Sequence, residues 1–123
     1  MNIKPFPMTI LFAVFLVTPA FSADCSDAYS YADDAYTQAK RGYGAIDLEE
    51  VEYYARRAMS SAEDAMSAAE ECGCEDAYSA ADDAYRYARK AYRADNFNEA
   101  INYLRKAKSS ADDAMSYASD CGA

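Results

Sequence analysis

Small apolar residues recur along the chain at spacings that alternate between three and four. One series runs from residue 25 to residue 42 and a second from residue 48 to residue 72, with mostly polar residues between them. In each series this spacing places the small residues on one face of an α-helix. The pattern therefore predicts two helices, one for each series, joined by a Gly-Tyr-Gly turn. The series are Cys25, Ala28, Ala32, Ala35, Ala39, Gly42, and Leu48, Val51, Ala55, Ala58, Ala62, Ala65, Ala69, Cys72.

The whole pattern occurs twice. Residues 74–122 repeat residues 25–73 at an offset of 49, and 27 of the 49 aligned positions are identical. A repeat of this length is usually one supersecondary unit whose neighbour completes its core. We therefore expect four helices in two tandem units, repeat 1 (25–73) and repeat 2 (74–122).

Folding each unit at its central turn aligns its two small-residue series level by level. In repeat 1 the facing residue numbers sum to 97, beginning with Cys25 and Cys72, and in repeat 2 they sum to 195, beginning with Cys74 and Cys121. One antiparallel register thus satisfies both series in both copies. The predicted fold is all-α, with two antiparallel helical hairpins that have alanine-rich seams.

Tyrosine and methionine occupy one flank of each hairpin. Two such flanks facing each other predict a compact four-helix bundle, in which alanines allow close helix packing within a hairpin and tyrosines fill the space between hairpins. An open solenoid is the alternative, but two repeats are few for that architecture. The flank residues are Tyr29, Tyr36, Tyr43, Met59, Met66, and Tyr78, Tyr85, Tyr92, Ile101, Met115.

The first 22 residues have the features of a secretory signal peptide. A weakly positive start at residues 1–4 precedes an uncharged run at 8–17, and Ala20 and Ser22 supply small residues for cleavage. The uncharged run is too short to span a bilayer. We expect an exported protein, periplasmic or extracellular, without membrane insertion after signal removal. Its single helical domain would be 23–123.

Charge and composition restrict the partners and the core. After residue 22 the chain has 11 basic and 21 acidic residues, a net charge of −10, which repels nucleic acids and anionic membranes. It also has 25 alanines, 12 tyrosines and a single Phe. Alanine strongly favours helix, but an alanine seam buries little apolar area. A further source of stability is therefore expected.

Four cysteines are the strongest candidates for that source. An even count behind a signal peptide predicts disulfides, and level pairing joins Cys25 with Cys72 and Cys74 with Cys121. Each bond would contribute about 4 kcal/mol by the loop-entropy estimate. The alternative is a Zn²⁺ or Cu(I) site formed by the same four residues. The short Cys-x-Cys spacing, the absence of histidine and an oxidising compartment argue against that alternative.

Helix ends are marked by polar residues. Asp24 is the predicted N-cap of the first helix, and Asp47 with Glu50 resembles a capping box that Asn96 and Glu99 repeat. At the first turn, the predicted role of the two glycines, Gly42 and Gly44, is to supply positive φ angles.

Charged residues also recur in pairs. Acidic pairs at outward positions midway along the helices are interpreted as a solvated surface: Asp33, Asp34, Glu63, Asp64, Asp82, Asp83, Asp112 and Asp113. Basic pairs follow nearer the turns: Lys40, Arg41, Arg56, Arg57, Arg89, Lys90, Arg105 and Lys106. Acid-to-base pairs within helices are the simplest interpretation. The resulting charge polarity is also consistent with head-to-tail self-association or with docking of the basic end on an acidic partner.

The segment Asn96–Ala107, NFNEAINYLRKA, resembles the second-helix entry of a tetratricopeptide repeat. Phe97, Ala100, Leu104 and Ala107 occupy matching offsets. The resemblance covers about one quarter of one repeat, and it implies a helical hairpin. No peptide-binding residues are carried over from it.

These features predict an exported, non-enzymatic structural or protein-interaction module. No histidine, nucleophile elbow or phosphate-binding loop is present in the sequence, so no catalytic residues and no cofactor are assigned. The expected partner is an unidentified protein or a second copy of the chain. Metal binding by the four cysteines is the alternative function. A small-ligand-binding or enzymatic bundle with a tyrosine-lined cleft is the remote one.

Overall fold

The computed structural model describes residues 24–123, which form four α-helices. The helices are α1 (Ser26–Tyr43), α2 (Leu48–Glu71), α3 (Glu75–Tyr92) and α4 (Phe97–Asp120). The helix lengths of 18 and 24 residues occur in both hairpins, so the sequence duplication is also a structural one. The predicted all-α fold of two hairpins is confirmed. The predicted signal peptide, 1–22, lies outside the described residues.

The two longer helices begin at the predicted caps. Asp47 accepts a hydrogen bond from the backbone N–H of Glu50 at 2.8 Å, and Asn96 accepts one from Glu99 at the same distance. The prediction for α1 is wrong in detail. Cys25 occupies its N-cap position without a side-chain cap, because Asp24 lies one residue earlier and accepts hydrogen bonds from Ser26 instead.

The predicted positive φ angles of the Gly-Tyr-Gly turn are absent. Gly44 has φ −91° and Gly42 lies within α1, where it is buried. Positive φ angles occur instead at Gly73 (75°), between Cys72 and Cys74, and at Gly122 (104°), after α4. At Gly73 the N–H of Cys74 bonds back to the carbonyl of Ala69 at 2.9 Å, as in a Schellman motif. Glycine is thus required where α2 passes directly into α3.

The four helices pack as a square, in which each helix lies along two neighbours and diagonal helices contact each other little. The centre consists of layers to which each helix contributes one alanine. The space inside two adjacent layers is too narrow for a water molecule. These layers are Ala35, Ala62, Ala84, Ala111, and Ala32, Ala65, Ala81, Ala114.

The tyrosines do not fill the space between the hairpins as predicted, because alanine occupies the centre of the bundle. Tyr36 and Tyr85 pack against an alanine layer from outside and are only half-buried. The other flank tyrosines are exposed. Because the alanine seams of both hairpins meet directly, the helices approach too closely for rings to enter the centre. The tyrosine flanks therefore cover the grooves between the hairpins from the outside.

Near the turns the core contains its largest buried side chains. Leu104 of α4 and Val51 of α2 are fully buried. Gly42 of α1 leaves the space that Leu104 occupies, since a Cβ added at Gly42 would lie 2.5 Å from Leu104 Cδ1. Among residues 24–123, no buried side chain is polar or charged. No helix in this range is sufficiently long and apolar to cross a bilayer.

Candidate functional site

The four cysteines lie together at one end of the bundle, called here the cysteine end. Cys25 and Cys74 precede α1 and α3, whereas Cys72 and Cys121 follow α2 and α4. The predicted pairing is confirmed: Cys25 is bonded to Cys72 and Cys74 to Cys121, with Cα atoms 5.4 and 6.0 Å apart. Each disulfide closes the open end of one hairpin.

The two disulfides are themselves adjacent. The Sγ atoms of Cys25, Cys74 and Cys121 all lie within 4.8 Å of one another, although they belong to two separate bonds. Cys25 and Cys74 are 1% exposed, Cys72 is half-buried and Cys121 is exposed. Sequence reasoning predicted each pair but not this proximity, because it depends on how one hairpin packs against the other.

The predicted alternative, a metal site of Cys25, Cys72, Cys74 and Cys121, depends on the oxidation state of these residues. All four sulfurs are in disulfide bonds, and metal ligation by cysteine requires thiolates. The proximity of three sulfurs is compatible with a shared ion after reduction. In the oxidised form the cluster is a covalent crosslink between helix ends.

The surface around the cysteine end is acidic. Its exposed carboxylates include Glu70, Glu71, Glu75, Asp76 and Asp120, together with Asp24 and Asp27 at the start of α1. Cys74 also lines an open depression together with Glu70, Glu75 and Tyr78. At the nearby start of α1, hydrogen bonds from the side chain and backbone of Ser26 hold the pKa of Asp24 below its ordinary value. This end therefore attracts cations and repels anionic groups.

Two sets of three tyrosines, the tyrosine stripes, run along the grooves between hairpins. On the α1 side Lys108 of α4 lies over the Tyr43 ring at 5.2 Å, and on the α3 side Tyr78 and Met66 of α2 line one depression. The middle tyrosine of each stripe is half-buried and the outer two are exposed. The stripes are Tyr29, Tyr36, Tyr43 on α1 and Tyr78, Tyr85, Tyr92 on α3.

The eight paired basic residues are all exposed and form a basic belt on the outer faces of the four helices. Several lie over tyrosine rings: Lys90 and Lys106 each lie 5.7 to 5.8 Å from the ring centroids of both Tyr87 and Tyr103. Beyond the belt lies the end of the bundle opposite the cysteines, called here the loop end, which contains the α1–α2 and α3–α4 turns. Its exposed acidic residues are Asp47, Glu49, Glu50, Asp95 and Glu99. Head-to-tail association would therefore bring the acidic loop end of one copy against the acidic cysteine end of another. The basic belt is instead accessible from the sides of the bundle.

Salt bridges contribute little to holding these charges in place. In the described part of the chain a single one forms, between Arg86 and Asp82 at 3.0 Å within α3. The intrahelical acid-to-base support expected from the sequence is therefore limited to this pair at salt-bridge distance. The paired acids midway along the helices are exposed, apart from half-buried Asp82, as expected for a solvated surface.

Comparison with known proteins identifies no relative. No protein-family model matches the chain, and no significant match was found among curated proteins or solved structures.

Proposed function

We propose that this protein is an exported, non-enzymatic interaction module that binds protein partners through its two tyrosine stripes. The observation that carries the proposal is the distribution of side-chain size: alanine occupies the core, and seven of the 12 tyrosines, four of them in the stripes, are at least 37% exposed. Exposed tyrosine offers apolar area and a hydroxyl group while losing little conformational entropy on binding. Tyrosine is accordingly enriched in protein interfaces.

Rigidity supports the same proposal. Both hairpins are closed by disulfides at one end, and the alanine layers leave no space for water between them. A preorganised surface loses little freedom on binding, which improves affinity for a given contact area. The twofold repeat adds a second, nearly equivalent face, since the stripes on α1 and α3 occupy matching positions of the two hairpins. We therefore propose a bivalent module that joins two partner molecules.

The extracytoplasmic location rests on two independent arguments. The disulfides are of the kind that persists in oxidising compartments. The uncharged segment at the start of the sequence has the length of a signal-peptide core rather than that of a membrane span. Measurement of the N-terminal residue of protein recovered from the native exported fraction tests this part of the proposal, and Ala23 is the expected result.

Paired tyrosine substitutions test the binding surface. One variant replaces Tyr29 and Tyr43 by Ser, and a matched control replaces Tyr53 and Tyr117, which are equally exposed but lie outside the stripes. Truncation of interface hot spots costs about 2 kcal/mol or more, so we expect the α1 stripe to lose at least about thirtyfold in affinity. The number of partner molecules bound should therefore fall from two to one in the stripe variant alone. The measurement is quantitative capture of crosslinked partners from the exported fraction, followed by titration of the purified partner.

The two variants should unfold at the wild-type temperature, since none of the four side chains is buried. An equal loss of binding in the control would contradict a role for the stripes, as would undiminished binding in a variant that also lacks Tyr78 and Tyr92.

Metal binding is a second candidate, which the proximity of three sulfurs favours. Four thiolates at one end of the bundle would provide the ligand set of a tetrahedral Zn²⁺ or Cu(I) site. Elemental analysis combined with a thiol count on protein from its native compartment distinguishes the two candidates. One ion and four thiols per chain support the metal site, whereas no ion and no thiols support the disulfide-bonded module.

A further inference from the structure

We propose that the cysteine end is a thiol–disulfide exchange site, in which an external thiol opens one disulfide and a buried sulfur then attacks the other. This activity goes beyond the interaction module and does not depend on it. The observation behind it is that the Sγ atoms of Cys25, Cys74 and Cys121 lie within 4.8 Å of one another across two separate bonds. Exchange requires such an approach, because a thiolate must reach the sulfur that it attacks.

Exposure decides where an external thiol enters. In each disulfide the more accessible cysteine follows a helix, at Cys72 and Cys121, and the buried cysteine precedes a helix, at Cys25 and Cys74. An external thiolate therefore attacks Cys72 or Cys121, and the buried sulfur leaves. The leaving sulfur belongs to the N-cap residue of α1 or α3, where the helix dipole favours negative charge, but it receives no side-chain cap hydrogen bond there.

Both disulfides offer an entry point. Cys121 is exposed and Cys72 is half-buried, and two acidic residues flank each leaving sulfur: Asp24 and Asp27 lie beside Cys25, and Glu75 and Asp76 beside Cys74. Attack at Cys121 releases Cys74, whose Sγ lies within 4.8 Å of that of Cys25. Attack at Cys72 releases Cys25, whose Sγ lies within the same distance of both sulfurs of the second disulfide.

The second step transfers the bond within the cluster. The external thiolate forms a mixed disulfide with Cys72 and releases Cys25 as a thiolate. Cys25 attacks the Sγ of Cys121, the Cys25–Cys121 bond forms, the Cys74–Cys121 bond breaks, and Cys74 leaves as a thiolate that takes a proton from water. Two disulfide bonds are present before and after, one thiolate is consumed and one is released. No further oxidant or reductant is needed.

The outcome is covalent capture of the external thiol while the bundle stays crosslinked. The new bond between Cys25 and Cys121 joins α1 to α4, which are already neighbours in the square. Because Cys25 has been taken up by the second bond, it no longer displaces the captured thiol directly. Because the surrounding surface is acidic, the substrate class is an uncharged or cationic small thiol, or a cysteine on a basic surface of a partner protein.

Two single substitutions test the exchange step. Cys72→Ser and Cys25→Ser both remove the first disulfide and leave one thiol, but only Cys72→Ser leaves that thiol within the three-sulfur cluster. Each purified protein is held at about pH 8.5 without oxygen, alkylated, and mapped by non-reducing peptide mass spectrometry. We expect Cys25 bonded to Cys121 or Cys74 in more than a tenth of the Cys72→Ser molecules, and the Cys74–Cys121 bond alone in Cys25→Ser.

Several outcomes would overturn the proposal. These are an unchanged Cys74–Cys121 bond in Cys72→Ser, equal rearrangement in both variants, or a rearrangement rate in Cys72→Ser that rises with protein concentration. Helix content measured by circular dichroism establishes that both variants are folded. If either is not, wild-type protein is treated with a substoichiometric small thiol and mapped in the same way. The Cys25–Cys121 peptide pair supports the exchange, and its absence from protein that carries the thiol at Cys72 contradicts it.

Discussion

Gly42 of α1 and Leu104 of α4 fit each other at the loop end of the core, and the repeat shows how. The position matching Gly42 in the second hairpin is Ala91, and the position matching Leu104 in the first is Ala55. The first repeat therefore has the smaller residue, Gly42, and the second repeat fills the space beside it with Leu104, which is larger than its counterpart Ala55. The side-chain volume that fills the core near the turns therefore comes unequally from the two hairpins, although the hairpins are copies of each other.

This fit predicts a non-additive pair of substitutions. Gly42→Ala should destabilise the protein by about 1 to 3 kcal/mol, because the added Cβ meets Leu104 at 2.5 Å and Tyr54 Cβ at 2.9 Å. Leu104→Ala should cost about 2 to 5 kcal/mol by leaving a cavity. In the double variant the methyl group added at residue 42 enters the space that Leu104 has vacated. The double variant should therefore lose less unfolding free energy than the sum of the two single variants. Urea unfolding of all four proteins gives the coupling energy.

Additive losses in the double variant would show that Gly42 and Leu104 do not share this space. Gly44→Ala is the matched control, since its added Cβ meets no atom closer than 3.7 Å and should not couple to Leu104→Ala.

The sequence alone could not identify this contact. Comparing the copies shows that Gly42 and Leu104 differ from their counterparts, but it does not show that they face each other. They lie on helices of different hairpins, and the internal seam register relates only helices of the same hairpin. The contact depends on the relative height of the hairpins, which is set by packing across the whole core.

At the scale of the helices, the starts of α2 and α4 depend on equivalent side-chain caps. Asp47→Ala and Asn96→Ala should each lower the free energy of unfolding by about 1 kcal/mol, because the N–H of Glu50 or Glu99 loses its acceptor. Asn98→Ala, an exposed position in the first turn of α4, is the control and should have a much smaller effect. Thermal or urea unfolding measures the differences. Equal losses in all three variants would contradict specific capping.

The caps also show what local sequence can predict. Asp47 and Asn96 were identified because an acceptor three residues before a glutamate is a local signal, and no distant contact intervenes. Asp24 fits a similar local expectation but does not cap α1. The disulfide anchors Cys25 at the helix start, so Asp24 is displaced to the preceding position and bonds to Ser26.

At the scale of the whole molecule, the disulfides compensate for a core of small side chains. Removal of Cys25–Cys72 by a double Ser substitution, or of Cys74–Cys121 in the same way, should each cost about 4 kcal/mol. The two losses should be similar because both bonds join residues separated by 47 positions. A loss of this size is a large share of the 5 to 15 kcal/mol typical of a small domain. Denaturant unfolding of the two variants measures it.

The wild-type protein with a reducing agent provides a further comparison and should be less stable than either variant. A denaturation midpoint that does not change on reduction would contradict this account and would indicate that helix packing alone stabilises the bundle.

Hairpin register and disulfide pairing could be predicted because both follow from one internal symmetry of the chain. The position of the tyrosines could not, since the flank pattern is equally consistent with rings between the hairpins and with rings over their grooves. Alanine decides between the two, because four small side chains per layer allow the helices to approach until the centre is closed. The proximity of Cys25 to Cys121 follows from the same approach of the hairpins.

The adjacent disulfides also determine how the protein responds to mechanical tension. A force applied between residues 25 and 121 passes from Cys25 to Cys72, through Gly73 to Cys74, and on to Cys121. This load path bypasses all four helices. The domain would transmit a pull along its own chain almost without lengthening, and its helices would remain folded under forces that unravel an uncrosslinked bundle.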